Sequence, residues 1–283
     1  MLDYNKFSVL LSIYSKESSK NFKRAMESIY DEQELKPNEI VLVEDGPLTE
    51  ELYFEIENQK KKLGEVLKIV KLKENRGLGV ALEKGILECR NELVARMDTD
   101  DISMPTRFKE QIEYLKKNKD IDVLGTYMSE FVGDEKNIIC IKDAPLSNFG
   151  EYIKYRDPLN HPTVIFKKSK VIKAGNYQEI LLNEDSLLWR RMIVNGAKFA
   201  NLPKSLLYFR ITDETYRRRG GWKYIKAEYL LQKESLKLGI INKKEFIINI
   251  VLKSIIRLLP NYIRKIVYLK ILRRKKSFNI IYY

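Results

Sequence analysis

The chain has 283 residues and a net charge of +13, from 52 Lys and Arg against 39 Asp and Glu, with 44% hydrophobic and 11% aromatic side chains. That apolar content fills one large domain or two modest ones, and it excludes intrinsic disorder for most of the chain. The charge is uneven: residues 1–211 hold 34 basic and 34 acidic groups, so the C-terminal quarter carries the whole excess. The uncharged stretch from Pro158 to Phe166 falls far short of the ~20 apolar residues that span a bilayer, so no transmembrane helix is expected. The N-terminal MLDYNKFSVLLSIYSKE has an early acid and no small-residue cleavage site, and it reads as a first strand. A single histidine, His161, excludes a His-rich zinc site, and the widely separated Cys89 and Cys140 give no disulfide framework, which fits a reducing compartment.

In chain order, Phe7 to Ile13 is a β-rich run, followed by a helix capped at Ser18 or Ser19 and reaching Tyr30. Glu39 to Glu44 is a second strand, ended by the turn Asp45-Gly46-Pro47, before a charged helix from Thr49 to Leu63. Val66 to Leu72 is a third strand, Leu78 to Arg90 a helix and Leu93 to Met97 a fourth strand. This alternation predicts a mostly parallel sheet with helices on both faces. After Pro105 a helix runs to Lys117, followed by the strand-like segments IDVLGTYM and IICI, a less regular middle, the strand TVIF and the helix SLLWRRMIVNG. Two further helices cover Trp222 to Gly239 and Lys243 to Leu259, the second stopped by Pro260.

Ligands of parallel sheets bind beyond the carboxyl ends of the strands. The residues there are Tyr14-Ser15, Glu44-Asp45-Gly46, Asn75-Arg76-Gly77 and Asp98-Thr99-Asp100-Asp101. Three carboxylates within four residues repel one another unless a cation sits among them, and a D-x-D after a strand suits a divalent ion shared with a diphosphate. An Asp that merely helps cap the helix after Pro105 is the other reading of the same residues. Asn183-Glu184-Asp185 likewise reads as a helix cap with two acids at the positive helix end. Gly77-Leu78-Gly79 lacks the third glycine of a dinucleotide fingerprint and follows the third strand, which argues against a dehydrogenase.

Six ordered blocks carry a family resemblance: SVLLSIYSKE, EIVLVEDG, KENRGLGVALEKG, ELVARMDTDDISMPTR, HPTVIF and NEDSLLWRRM. Together, over Phe7 to Ile211, they resemble the inverting family 2 glycosyltransferases of bacterial polysaccharide, O-antigen and capsule synthesis. The resemblance implies a GT-A fold and a nucleotide-sugar donor, most simply a UDP-sugar. Position by position it assigns Tyr14, Glu44, Asp45, Asn75, Arg76 and Asp98 to the nucleotide-sugar. It gives Asp98, Asp100 and Asp101 to a Mn²⁺ or Mg²⁺ ion that neutralises the departing diphosphate. Asp185 matches the general base, with Glu184 in reserve, and inversion implies a β-linked product from an α-linked donor. His161 matches a residue lining the acceptor side, and Trp189 is placed to stack on an acceptor sugar or to pack in the core. Many relatives carry a histidine just after a Y-F-R block, whereas here Tyr208-Phe209-Arg210 leads to Arg217-Arg218-Arg219-Gly220-Gly221. That basic loop reads as a lid over phosphate or as a solvated turn.

The expected organisation is a GT-A catalytic domain over residues 1–215, with a nucleotide-sugar half (1–101) and an acceptor half (102–215), followed by a basic helical extension over 216–283. On a helical wheel Ile247, Ile248, Val251, Leu252, Ile255, Ile256, Leu258 and Leu259 form an apolar face, and Asn249, Lys253 and Arg257 a narrow polar stripe. After Glu245 no acid follows, whereas nine basic residues do. This pattern suits a helix lying on an anionic membrane, packing of the apolar face on the catalytic domain or homodimerisation being the alternatives. Nucleic acid is disfavoured, since no recognition motif is present. The resulting expectation is an enzyme peripheral to the cytoplasmic face of the membrane, with a polyprenyl-diphosphate-linked glycan as acceptor. Sugar nucleotidyl transfer and a non-catalytic membrane or nucleic-acid binding module are the rival readings.

Overall fold

The computed structural model describes residues 2–212, 215, 220–260 and 262–263. Strands β1 (Phe7–Ile13), β2 (Glu39–Glu44), β3 (Leu67–Lys71) and β4 (Leu93–Arg96) alternate with helices α1 (Ser19–Tyr30), α2 (Glu50–Leu63) and α3 (Leu78–Glu88). Next come β5 (Ile102–Ser103), α4 (Arg107–Lys117), β6 (Val123–Phe131), β7 (Ile138–Lys142) and α5 (Phe149–Tyr152). The chain continues through β8 (Ile165–Lys167), α6 (Lys168–Lys173), α7 (Glu184–Val194), β9 (Phe199–Arg210), α8 (Trp222–Lys237) and α9 (Lys243–Leu258).

The nine strands form one sheet of order β3-β2-β1-β4-β8-β6-β9-β5, with β7 paired to β6. β1 to β4 are mutually parallel, β8 runs antiparallel to both β4 and β6, and β6 and β9 are parallel. β1 and β2 read as near-continuous apolar runs because both their faces are covered, whereas β3 at the edge keeps lysines outward. Side-chain alternation divides the core between the faces. Val9, Leu11, Ile40 and Leu42 pack with Phe22, Leu52 and Phe108 of the α1–α2–α4 layer, while Leu10, Val41 and Val43 pack with α3 and the Leu188–Trp189 side of α7. In β4 the same rule puts Arg96 on the Val94 side, the face covered by α7.

The sequence-predicted elements lie within a few residues of these bounds, but two strands escape that reading. β9 contains Pro203 and Lys204, which break its apolar pattern, and its pairing with β6 shifts register there. β5 is only two residues long and antiparallel to β9, too short for any periodicity. Together they fold the end of β9 back over the Asp98–Asp101 turn. Asn183 does not cap α7 through its side chain; it donates instead to the Ala227 and Leu181 carbonyls at 3.0 and 3.3 Å. Both cysteines are buried, the Cys140 thiol donates to Glu130 Oε2 at 2.9 Å, and burial pushes the Cys89 thiol up to about 12.

α8 and α9 form a hairpin outside α7, and the polar stripe of α9 faces inward. Asn249 is buried and donates to the Lys154 carbonyl (2.8 Å) and the Gln232 side chain (2.9 Å), Lys253 pairs with Glu228 at 2.6 Å, and Arg257 lies over the Tyr224 ring. The apolar face therefore does not pack on the catalytic domain: Ile247, Ile248, Val251, Leu252, Ile255 and Leu258 are all exposed. α3 must lie close to the sheet, because a Cβ on Gly85 would come within 2.5 Å of the Leu10 side chain and 2.6 Å of Val43. Gly85→Val should overpack this contact and cost about 1–3 kcal/mol, read as a lower thermal midpoint; an unchanged midpoint would show that α3 can move off the sheet freely.

Candidate active site

The site lies past the C-terminal ends of β1, β2 and β4, where the strand order reverses. At the end of β2 the Asp45 carboxylate is almost fully buried and accepts the backbone N–H groups of Arg76 (2.8 Å) and Gly77 (3.0 Å). Its own carbonyl accepts from the Asn75 side chain at 3.1 Å. Gly46 allows the two loops to touch: its φ is +86°, and a Cβ there would lie 2.5 Å from the Asn75 nitrogen. Asp45, Asn75, Arg76 and Gly77 thus form one bonded unit. The Arg76 guanidinium reaches Glu179 at 3.2 Å and remains half-exposed. Glu44 is buried with only a 3.5 Å contact to Lys71 and an unpartnered Oε1, and burial raises its pKa. Tyr14 sits exposed at the end of β1.

At the end of β4 the buried Arg96 forks both oxygens of Asp98, with the Nη1–Oδ2 bond at 2.7 Å. Arg107 of α4 donates to the Arg96 carbonyl at 2.8 Å from the other side of the strand, and burial lowers its own pKa to about 9. Asp98, Asp100 and Asp101 each offer an oxygen within 4.8 Å of the others. Asp101 is wholly buried; its Oδ1 accepts the Arg210 N–H at 2.9 Å, and its Oδ2 has no partner. Arg210 also donates to the Asp100 carbonyl at 2.8 Å. Burial, Asp98 and Glu17 push Asp100 up to about 7, and burial with its two acidic neighbours carries Asp101 well above the usual range. Hard oxygen donors, mutual repulsion and an orphaned buried carboxylate oxygen together fit a divalent cation, with Asp100 and Asp101 the least committed ligands.

The second set of acids stands at the start of α7. Asp185 Oδ1 accepts the Ser186 N–H at 2.7 Å, and Oδ2 lies 3.8 Å from His161 Nδ1. Burial, then Glu184 and Asp157, raise Asp185 to about 7, and burial raises Glu184 as well. His161 Nε2 shares a 2.9 Å bond with the Tyr177 hydroxyl, and burial and Arg96 hold its pKa well below the usual 6.5, so the ring is neutral. The preceding Leu182 has φ +59°, backbone strain of the kind that collects where a side chain must be aimed. Asp185 is thus an acid held near neutrality beside a neutral imidazole.

Trp189 takes the core position: it is fully buried, edge-on to His161 and Phe199, one turn beyond Asp185 on the same side of α7, so its ring backs His161 and is not exposed for stacking on a sugar. Arg217, Arg218 and Arg219 lie outside the described residues. Arg96, Glu17, Asp157, Tyr177 and Arg190 were not singled out from sequence. Only Arg96 carried a local signal, a charge ending the otherwise apolar strand LVAR. Arg190 is buried and ties Asp157 (3.0 Å), the Ser186 carbonyl (2.8 Å), the Ile153 carbonyl (3.1 Å) and Ser235 of α8 (2.8 Å) around the first turn of α7.

A curled, mostly parallel sheet with an acidic cluster at its switch point and a second carboxylate on a facing helix defines a GT-A type nucleotide-sugar transferase. The profile of the family described as "Glycosyl transferase family 2" matches residues 8–173, and the chain belongs to that family of enzymes. Over 273 residues it is 37% identical to the UDP-Gal:alpha-D-GlcNAc-diphosphoundecaprenol beta-1,3-galactosyltransferase of Escherichia coli, covering 96% of this chain and 98% of that one. It is 38% identical over 266 residues to the amylovoran biosynthesis glycosyltransferase AmsE of Erwinia amylovora, covering 93% and 98%. Among solved structures it resembles S. aureus TarS 1–349 in complex with UDP-GlcNAc (TM-score 0.62, 18% identity, 94% and 76% covered). It also resembles the mannosyltransferase PcManGT of Pyrobaculum calidifontis in complex with GDP-Man and Mn2+ (TM-score 0.61, 14% identity, 88% and 69% covered). These structural likenesses establish the fold.

Asp45→Asn turns an NH₂ toward one of two backbone donors. The loss of a charge-assisted bond should loosen the 75–77 loop and speed hydrogen exchange of the Arg76 and Gly77 amides about tenfold. Unchanged exchange would mean that the loop keeps its shape without the carboxylate.

Proposed function

We propose that this enzyme transfers a hexose, in the first instance galactose, from a UDP-sugar to a hydroxyl of a lipid-diphosphate-linked glycan, with inversion, in surface polysaccharide synthesis. The observation that carries the reading is the pairing of two carboxylate sites across Arg96, one suited to a metal and diphosphate and the other to a proton. The near full-length match to the E. coli galactosyltransferase supports the donor and acceptor classes. We place the enzyme at the cytoplasmic face of the membrane, where a polyprenyl-linked acceptor resides, with the basic C-terminal region meeting that surface. Among the described residues no helix is long and apolar enough to cross it.

In this mechanism Tyr14, Glu44 and the Asp45–Gly77 loop unit receive the nucleoside, and Asp98, held by Arg96, meets the ribose or the diphosphate. Asp100 and Asp101, with Asp98, would hold Mn²⁺ or Mg²⁺, whose charge neutralises the leaving UDP. Asp185 takes the proton of the acceptor hydroxyl as that oxygen attacks the anomeric carbon, giving a β-linkage from an α-linked donor. A pKa near 7 matches a base to neutral conditions. Neutral His161, fixed by Tyr177, borders the acceptor and adds no competing positive charge.

Asp185→Asn should lower kcat by ~10²–10⁴ while UDP binding survives; an equal fall in both would make Asp185 a structural residue. The sign of the pH dependence follows from the ionised form being active: kcat/KM should rise with pH through about 7. Protonation of Asp100 gives a limb in the same range, but that limb moves to lower pH as metal concentration rises, because metal and proton compete for the carboxylate. A limb that stays put at saturating Mn²⁺ assigns it to Asp185, and one centred near 4 would remove the raised base. Asp100→Asn should abolish transfer without lowering the thermal midpoint. Full activity of that variant, or of the wild type in excess EDTA, would refute metal dependence, and release of pyrophosphate instead of UDP would indicate nucleotidyl transfer.

A further inference from the structure

The rotation of α9 is the reverse of what burial of an amphipathic helix ordinarily gives. Its polar stripe is satisfied internally by Lys154, Gln232, Glu228 and Tyr224, and its apolar stripe points to solvent. Ile247 is 61% exposed, Val251 51%, Leu252 56%, Ile255 55% and Leu258 56%, a strip about 17 Å long at the rise of an α-helix. Trp222 is 77% exposed and begins α8 beside the end of this strip, where the Gly221 N–H donates to the Arg257 carbonyl at 3.1 Å. A contiguous apolar face of this kind on a folded protein marks an interaction surface.

We infer that the outward face of α9, with Trp222 at its end, is an insertion surface for an anionic lipid bilayer. Charge decides between occupants. From Lys243 onward the chain has eleven Lys and Arg and one acid, Glu245. That acid is engaged with the Asn242 N–H at 2.8 Å and with Lys154 at 3.5 Å. Of the eleven, Lys253 and Arg257 turn inward and seven follow Ile263, outside the described residues. A second copy would still bring together two chains of like net charge, whereas anionic headgroups attract that charge as the apolar strip enters the acyl boundary. Lys243 and Lys244 flank the strip at its N-terminal end and are exposed. The surface goes beyond the transfer reading, resting on it only for its use, which is to hold the acceptor-side helix α7 next to the bilayer. The link is direct, since Asn183 and Arg190 of that region bond to Ala227 and Ser235 of α8.

The test uses the full chain and vesicles without any glycolipid acceptor, so its outcome is separate from that of the transfer assay. Trp189 is fully buried and Trp222 exposed, so Trp222 is a native reporter. Vesicles of phosphatidylglycerol and phosphatidylcholine (about 3:7) should bind the protein at least about tenfold more tightly than pure phosphatidylcholine, and brominated acyl chains should quench a fluorescence that Trp222→Phe removes. The double variant Leu252→Ser/Ile255→Ser should lose about tenfold in vesicle affinity while its UDP affinity and thermal midpoint stay unchanged. No binding of the wild type to anionic vesicles overturns the inference. So does binding that the double variant retains in full, which would make charge alone responsible. A concentration-dependent dimer in sedimentation, abolished by the double variant, with vesicles ignored, assigns the face to a second copy and equally overturns it.

Discussion

The arrangement depends on one buried cation. Arg96 ends a four-residue strand whose other side chains are apolar, and burying a guanidinium there is costly unless it is paired and hydrogen-bonded. Asp98 supplies the pair in a two-point fork, which fixes the first acid of the cluster before any ligand arrives. The same charge acts on the opposite wall: it helps keep His161 neutral and offsets part of the burial penalty on Glu184 and Asp185. Below it Arg107 holds the Arg96 carbonyl and spans toward β6 through Gln111, which donates to the Leu124 and Thr163 carbonyls. The floor of the cleft is therefore rigid where the two carboxylate sites meet.

Environment separates what those carboxylates can do. Burial and then like charge raise two acids of the first group, Asp98 acting on Asp100 and both of these on Asp101, so that crowded set gains most from a cation. Asp185 is raised mainly by burial and has only one short bond, from Ser186, which leaves the other oxygen facing His161 across 3.8 Å. The crowded set thus suits the metal role proposed for it, and the single raised carboxylate suits the exchange of a proton. The roles proposed for them follow from these surroundings more than from the residue type, which is the same in both.

The parallel β-α alternation through Met97 was legible because each segment is long, periodic and ended by Gly, Asn or Asp. β9 was not, since Pro203 and Lys204 interrupt it and its pairing bends around them. Of the site, the acids at strand ends were legible as a class, because parallel sheets bind ligands there. Their divisions were not: that Asp45 spends both oxygens on a loop, or that Asp98 is held by the residue two before it, depends on backbone N–H groups and a buried guanidinium that no spacing reveals. Trp189 shows the same limit in reverse. Being one turn from Asp185 does place it beside the site, but the ring lies in the core behind His161, a burial that the spacing alone does not reveal. The Arg190–Asp157 pair joins residues 33 apart and has no periodic signature.

Helix rotation also governs the C-terminal hairpin. α9 carries two faces that compete for the protein, and the polar one wins because each of its groups finds a specific partner there. Asn249 fills two acceptors, and Lys253 neutralises Glu228, an acid that is itself buried. Turning the helix over would bury apolar area but leave the buried Glu228 without its cation, bonded only to Gln232, and one unpaired buried charge costs about 3–5 kcal/mol. Fully burying one large aliphatic side chain gains roughly 1.5–3 kcal/mol, so the rotation is set by a contest between terms of similar size, in which the specific polar partners decide the face that turns inward. Since α8 holds α7 through Ser235 and Ala227, whatever meets the outward face of α9 acts on the same layer that carries Asp185.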